Sequence, residues 1–275
     1  MERASGVALL VTLGLLTLMA GLAVAGVVLS PAWNWLEGVA CFVAGVSAAV
    51  VLCRRLPAQN VAGGSLALLG LSVFWCALSA RNGVPLGRVE YSNRLGLRLL
   101  GLVPVTLPFL WTGLLLTGRE TARLMLRPLR RDKFYGYYLL LVSSVLLALV
   151  EVALEPYATQ VVGWWAWPEA TLWQGLPWGT LLAWLLSAAF MLMMATPWLV
   201  PKRPIPTTPT LHSPAIWLGL AAWFTLGDLR HGLWGPGLIA LAGIVVVAVL
   251  TWQGYQIGLE AVTRRHSDDD EDEDE

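Results

Sequence analysis

Apolar residues in this chain come in runs of about twenty, broken by short stretches rich in Gly, Pro, Arg and Trp. The hydrocarbon core of a bilayer is about 30 Å thick, and a helix needs roughly 20 apolar residues to cross it. Only helices and closed barrels satisfy the backbone there. These runs are too long and too continuously apolar for barrel strands. The pattern predicts spans near 6–29, 36–53, 62–80, 97–117, 136–154, 178–200, 214–229 and 236–258. The seventh is the shortest and ends in Asp228-Leu229-Arg230, so seven crossings is the alternative to eight. Ala23-Val24-Ala25 has the form of a signal-cleavage site. The apolar run continues past it to Leu29 and into further spans, so the segment reads as a crossing.

Composition sharpens this picture. Of the 275 residues, 57% are hydrophobic and 13% charged, with a mean hydropathy of +0.65. Soluble domains carry about 25% charged residues. A water-soluble globule, a disordered chain, a collagen and a disulfide scaffold are excluded. The fold class expected is all-α: a polytopic transmembrane helical bundle over residues 1–262, followed by a disordered acidic tail at 263–275. Fifteen Trp suit a chain with two water–lipid interfaces.

The formal net charge of zero conceals an asymmetry. Eight of the eighteen acids form the run Asp268–Glu275, leaving ten acids against eighteen bases, a net of +8 for the rest. With eight spans and the N-terminus inside, the inner segments hold Arg3, Arg54, Arg55, Arg119, Arg123, Arg127, Arg130, Arg131, Lys133, Lys202, Arg203, Arg264 and Arg265. The outer segments hold Arg81, Arg88, Arg94, Arg98 and Arg230. Basic residues favour the cytoplasmic side. The expectation is a multi-pass cell-membrane protein with both termini cytoplasmic, whose partners are lipid rather than nucleic acid. Glu120–Lys133 reads as a basic amphipathic connector lying on headgroups. Glu37 reads as a helix-start acid that complements the helix dipole. No internal repeat of the kind that marks duplicated transporters is visible.

Cys41, Cys53 and Cys76 lack CxxC spacing, and His212, His231 and His266 are scattered. Neither set forms a metal-ligand pattern, and no metal site or other cofactor is expected.

Two segments are too particular for plain spans. One runs from Asn82-Gly83-Val84-Pro85-Leu86-Gly87-Arg88-Val89-Glu90-Tyr91 to Val103-Pro104-Val105 and Trp111. Its Gly and Pro residues predict turns, and Pro104 and Pro108 predict a kinked or broken span. The other runs from Glu151 to Trp184. Glu151 and Glu155 are four apart and share a helix face. Pro156 ends that helix. Trp164, Trp165, Trp167, Trp173 and Trp178 follow within fifteen residues. An ionisable residue in a span is costly and marks a candidate functional site. An interfacial Trp belt and a snorkelling end carboxylate are the structural alternatives.

Together these segments resemble the carotenoid biosynthesis protein family of membrane proteins, which includes the CruF-type carotenoid hydratases. The resemblance rests on Gly83-Val84-Pro85-Leu86-Gly87-Arg88-Val89-Glu90-Tyr91, Val103-Pro104-Val105 to Trp111, Glu155-Pro156, Trp165-Ala166-Trp167 and Gly175-Leu176-Pro177, in order, over about residues 60–200. The family pattern carries Phe where Leu86 stands, Tyr at Val89, Asp at Glu155, Asn at Thr180 and an acid near Cys76, so the chain reads as a divergent member.

The resemblance implies addition of water across the terminal double bond of an acyclic carotenoid. Such chemistry needs a protonated carboxyl, which burial favours. It also needs aromatic faces to stabilise a tertiary carbocation, and a water. Glu155, Glu151 and Glu90 are then the catalytic candidates. Asn82, Pro85, Gly87, Tyr91, Trp111, Trp164, Trp165, Trp167 and Pro177 are the substrate-binding candidates. Within this set Glu151 or Glu155 would be the acid, Glu90 and Asn82 would hold the water, and the Trp and Tyr rings would face the cation. An acid-initiated cyclase and a non-catalytic polyene carrier or scaffold for other carotenoid-pathway enzymes are the alternatives.

Overall fold

A computed structural model describes residues 2–168, 179–200 and 208–273. Eight long helices make up the fold among the described residues: α1 (Glu2–Val24), α2 (Trp35–Leu52), α3 (Ala58–Asn82), α4 (Thr106–Met125), α5 (Tyr135–Pro156), α6 (Thr180–Leu199), α7 (His212–Arg230) and α8 (Trp234–Glu273). Two two-residue ribbons complete it. β1 (Glu90–Tyr91) pairs antiparallel with β4 (Trp165–Ala166), and β2 (Arg98–Leu99) pairs with β3 (Val103–Pro104). The protein is an all-α polytopic bundle.

The outer surfaces of the helices are apolar. Leu10, Leu66, Leu141, Leu182, Leu186 and Val245 all point outward from the bundle. In water such a continuous apolar surface would drive association; against lipid tails it is the expected face. Among the described residues, six helices are long and apolar enough to cross a membrane: α1, α2, α3, α5, α6 and α8.

The two helices outside that set, α4 and α7, are central. α4 packs against α2, α3, α5, α7 and α8, and most of its length is buried. α7 packs on α1, α4, α5 and α8. A helix enclosed by other helices need not match the hydropathy of lipid. This corrects the span boundaries. The fourth helix starts at Thr106 rather than 97, because residues 98–104 turn back as the β2–β3 ribbon. Pro104 therefore lies in a strand. Pro108 sits in the first turn of α4, where a missing N–H costs little.

The same helix runs through the start of the predicted headgroup-lying connector. Glu120 is held by Arg55 at 2.8 Å, Arg119 at 3.0 Å and Arg123 at 3.4 Å, with Arg119 buried. Charges paired in this way can be enclosed. The short 3₁₀ turn Arg127–Leu129 that follows is exposed or half-exposed. α8 keeps a helical backbone to Glu273, over residues that the charge pattern reads as disordered. Extending a helix already formed fixes one residue per added hydrogen bond, without a new nucleus.

Close helix contact is set by small residues, as is usual in membranes. At the α2–α4 crossing, a Cβ built on Gly113 would stand 3.0 Å from the Gly45 Cα, and one on Gly45 would collide with the Phe109 backbone.

Hydrogen bonds pin both ends of the bundle. At one end Arg54 reaches Ser5, Arg55 reaches Glu120, and Asn60 reaches the Trp198 carbonyl. At the other, Arg94 donates to the Leu29 carbonyl, Arg230 donates to Val24, and Thr180 donates to Leu86. The candidate site lies at this second end.

Candidate functional site

α5 ends at Pro156 and passes into a single π turn, Tyr157–Val161. Gly163, with φ +66°, then reverses the chain so that residues 164–167 run back as an extended segment. Successive side chains of an extended segment point to opposite sides. Trp165 and Trp167 point one way, and Trp164 the other.

Glu155 receives the first pair. Its Oε2 accepts hydrogen bonds from the indole N–H groups of Trp165 at 2.9 Å and Trp167 at 3.0 Å. Its Oε1 accepts one from Trp184 of α6 at 3.0 Å. Glu155 is fully buried. The Trp184 ring stacks on Trp111 of α4, with centroids 3.8 Å apart and planes 22° apart. Tyr91 meets Trp165 edge-on at 6.2 Å across the β1–β4 ribbon. These groups line a small cavity with Leu86, Val89 and Leu107. Its free space is about 10 Å³, room for about one water.

Tyr91 stands beside Cys76 of α3. Burial, reinforced by Cys76 and Glu155, holds its phenol well above the ordinary tyrosine value. It is a neutral hydroxyl at any physiological pH.

Glu151 lies one turn back on α5, fully buried, with neither carboxyl oxygen hydrogen-bonded among the described residues. It does not line the cavity. It is close enough to Glu155 for their charges to interact.

Trp164 belongs to a second cluster and does not line the Glu155 cavity. Its N–H donates to Glu37 Oε2 at 2.6 Å, and Arg94 approaches Glu37 Oε1 at 3.4 Å. Glu37 is in the first turn of α2, as the sequence places it, but it is buried and hydrogen-bonded rather than merely a partner of the helix dipole. The Trp164 ring packs on Tyr157, Trp223 and Phe224.

The remaining sequence candidates scatter. Glu90 is exposed, because the alternation that turns Tyr91 inward turns Glu90 outward. Asn82, the last residue of α3, is exposed as well. Neither lines the cavity around Glu155. Gly87 has φ +101°, a conformation that suits glycine, and it lets the loop fold back so that Leu86 enters the cavity. Pro85 lines a separate groove between α3 and α6. Pro177, Trp173 and Trp178 lie outside the described residues.

Sequence reading missed Trp184 as a ligand of Glu155, and it missed the Glu37–Trp164 pair. Trp184 lies 29 residues from Glu155, and Trp164 lies 127 from Glu37. Neither spacing has a local signal. Among the described residues, no three His, Cys, Asp or Glu side chains gather as a metal-ligand set.

No curated protein and no solved structure matches this chain. The family model described as "Carotenoid biosynthesis protein" matches residues 36–250, most of the chain, including α2 to α7, both carboxylate clusters and the first seventeen residues of α8. The chain belongs to the carotenoid biosynthesis protein family.

Proposed function

We propose that this protein hydrates the terminal double bond of an acyclic carotenoid, with Glu155 transferring the proton. The observation that carries this reading is a fully buried carboxyl, held by three indole N–H groups in a small aromatic chamber.

The chemistry follows from that arrangement. The Glu155 O–H gives its proton to the less substituted carbon of a trisubstituted alkene. The π pair forms the new C–H bond, and the neighbouring tertiary carbon becomes cationic. The faces of Trp111, Trp184 and Tyr91 attract that cation without bonding to it. The carboxylate left behind is held by the Trp165, Trp167 and Trp184 N–H groups. Hydrogen bonds to an ionised acceptor are the stronger kind. The donors are already aimed, so proton departure needs little reorganisation.

A water then attacks the cation through oxygen. The resulting oxonium loses a proton to Glu155, which restores the acid and leaves a tertiary alcohol. Atoms balance as alkene plus water. Glu151, with no hydrogen-bond partner among the described residues, is cheapest uncharged. In that form it adds no negative charge beside Glu155.

The test is expression in cells that accumulate an acyclic carotene, followed by liquid chromatography and mass spectrometry of the pigments. A new, more polar pigment one water heavier is expected. Glu155→Gln is expected to lower its yield by about 10²–10⁴-fold, the usual worth of a general acid–base group. Unchanged turnover in that variant removes Glu155 from the reaction. An isomer of unchanged mass replaces hydration with cyclisation.

A further inference from the structure

We propose that the groove between α3 and α6 holds the polyene chain of the substrate while its end group reaches Glu155. This rests on the reading above that the substrate is an acyclic polyene.

The chamber around Glu155 has room for about one water, so it cannot enclose a long polyene. The groove has about 490 Å³, within the range of small-molecule sites. It is lined by Trp75 of α3, by Pro85, and by Ala183, Leu186, Ser187 and Phe190 of α6. The lining is apolar and aromatic apart from one serine hydroxyl. Leu182, Leu186 and Phe190 are exposed on the bundle surface, so the groove opens toward lipid tails. A polyene dissolved in the bilayer enters it from the side, without crossing water.

Two pairs of consecutive residues join groove to chamber. Pro85 lines the groove and Leu86 the chamber; Ala183 lines the groove and Trp184 the chamber. The boundary is thus formed by Leu86 and by Trp184, which also donates to Glu155. The Leu86 carbonyl accepts from Thr180, which fixes this loop on the first turn of α6. An end group is larger than the free space of this chamber, so it meets the acid only as Leu86 and Trp184 move aside, and the unreacting chain stays behind in the groove. A phospholipid acyl chain fits the groove walls equally well, but it offers no alkene end group to the chamber. Discrimination must therefore appear as pigment retained in the presence of excess phospholipid.

The experiment uses the full chain in phosphatidylcholine nanodiscs loaded with lycopene. Pigment per protein is measured after size-exclusion chromatography, as the amount above that held by protein-free nanodiscs of the same lipid. Ala183→Trp and Leu186→Trp fill the groove; the Leu186 side chain faces outward, so that variant keeps its internal packing. Leu141→Trp, on the exposed face of α5, is the control. Each groove variant is expected to retain about tenfold less pigment, a loss of roughly 1.4 kcal/mol, while the control and Glu155→Gln retain the wild-type amount. Wild-type pigment content in both folded groove variants overturns the proposal. If the groove variants lose pigment while Glu155→Gln still converts it normally, the groove stands and the acid assignment falls.

Discussion

Glu155 has an uneven set of donors, and the unevenness makes a graded prediction. Oε1 depends on Trp184, whereas Oε2 is shared by Trp165 and Trp167. Trp184→Phe removes the Oε1 donor and leaves an aromatic ring over Trp111, which stacks at 3.8 Å in the native protein. A hydrogen bond to a charged group contributes about 1.5–3 kcal/mol. If that bond forms fully only when Glu155 has given up its proton, its loss slows turnover by about 10–150-fold, at 1.36 kcal/mol per factor of ten. Trp165→Phe or Trp167→Phe alone leaves Oε2 one donor, so each should cost about tenfold or less. The double variant should cost more than the product of the two singles, because the second removal leaves the oxygen bare. The assay is the ratio of hydrated to parent pigment, normalised to protein in the membrane, with monodisperse elution in detergent as the folding control. Turnover of Trp184→Phe at the wild-type rate, in folded protein, would falsify the role given to these indoles. Equal losses in all three single variants would mean that they act by packing instead.

Four further outcomes follow from other parts of the fold. Glu120→Gln leaves Arg55 and Arg119 enclosed without their anion, and should lower stability by about 3–5 kcal/mol, read as the melting temperature in detergent. Glu37→Leu removes the acceptor of Trp164 and the partner of Arg94. It should destabilise the protein in the same assay, and Glu37→Gln, which keeps an acceptor oxygen for Trp164, should restore part of the loss. Gly45→Val drives a branched side chain into the Phe109 backbone, and should cut folded yield on size-exclusion chromatography; normal yield would mean that the α2–α4 crossing is looser than described. A fluorescent protein fused to either terminus should light up and alkaline phosphatase at the same place stay silent, whereas active phosphatase would reverse the orientation drawn from the arginines.

The helices facing lipid were legible because lipid leaves no choice. Where α1, α3, α6 or α8 meets hydrocarbon, a polar side chain has no partner, and the apolar run shows the crossing directly. α4 was misplaced for the complementary reason. Its Arg119 and Glu120 are tolerated through a partner, Arg55, 65 residues from Glu120. A charge read along the chain looks like a helix end when its counter-charge is out of view. α7 is similar: its low hydropathy reflects enclosure by α1, α4, α5 and α8, not a failure to form a helix.

The site divides along the same line. Trp165 and Trp167 are 10 and 12 residues from Glu155, and one reversal at Gly163 brings them back to it. Proximity of that kind is visible in sequence, and both were among the substrate-binding candidates. Period-two alternation was the signal left unused. In Trp164-Trp165-Ala166-Trp167 an extended backbone puts Trp165 and Trp167 on one side and Trp164 on the other, so no single acid collects all three. The same rule separates Glu90 from Tyr91 on the paired strand. One strand therefore serves two carboxylates: Trp164 anchors it to Glu37 on α2, and that anchor sets the register in which Trp165 and Trp167 meet Glu155. Inserting a single residue between Trp164 and Trp165 should keep the Glu37 contact and turn Trp165 and Trp167 away from Glu155. Activity should then be lost while α2 to α5 still fold. If such an insertion keeps full activity, the indoles do not act through this register.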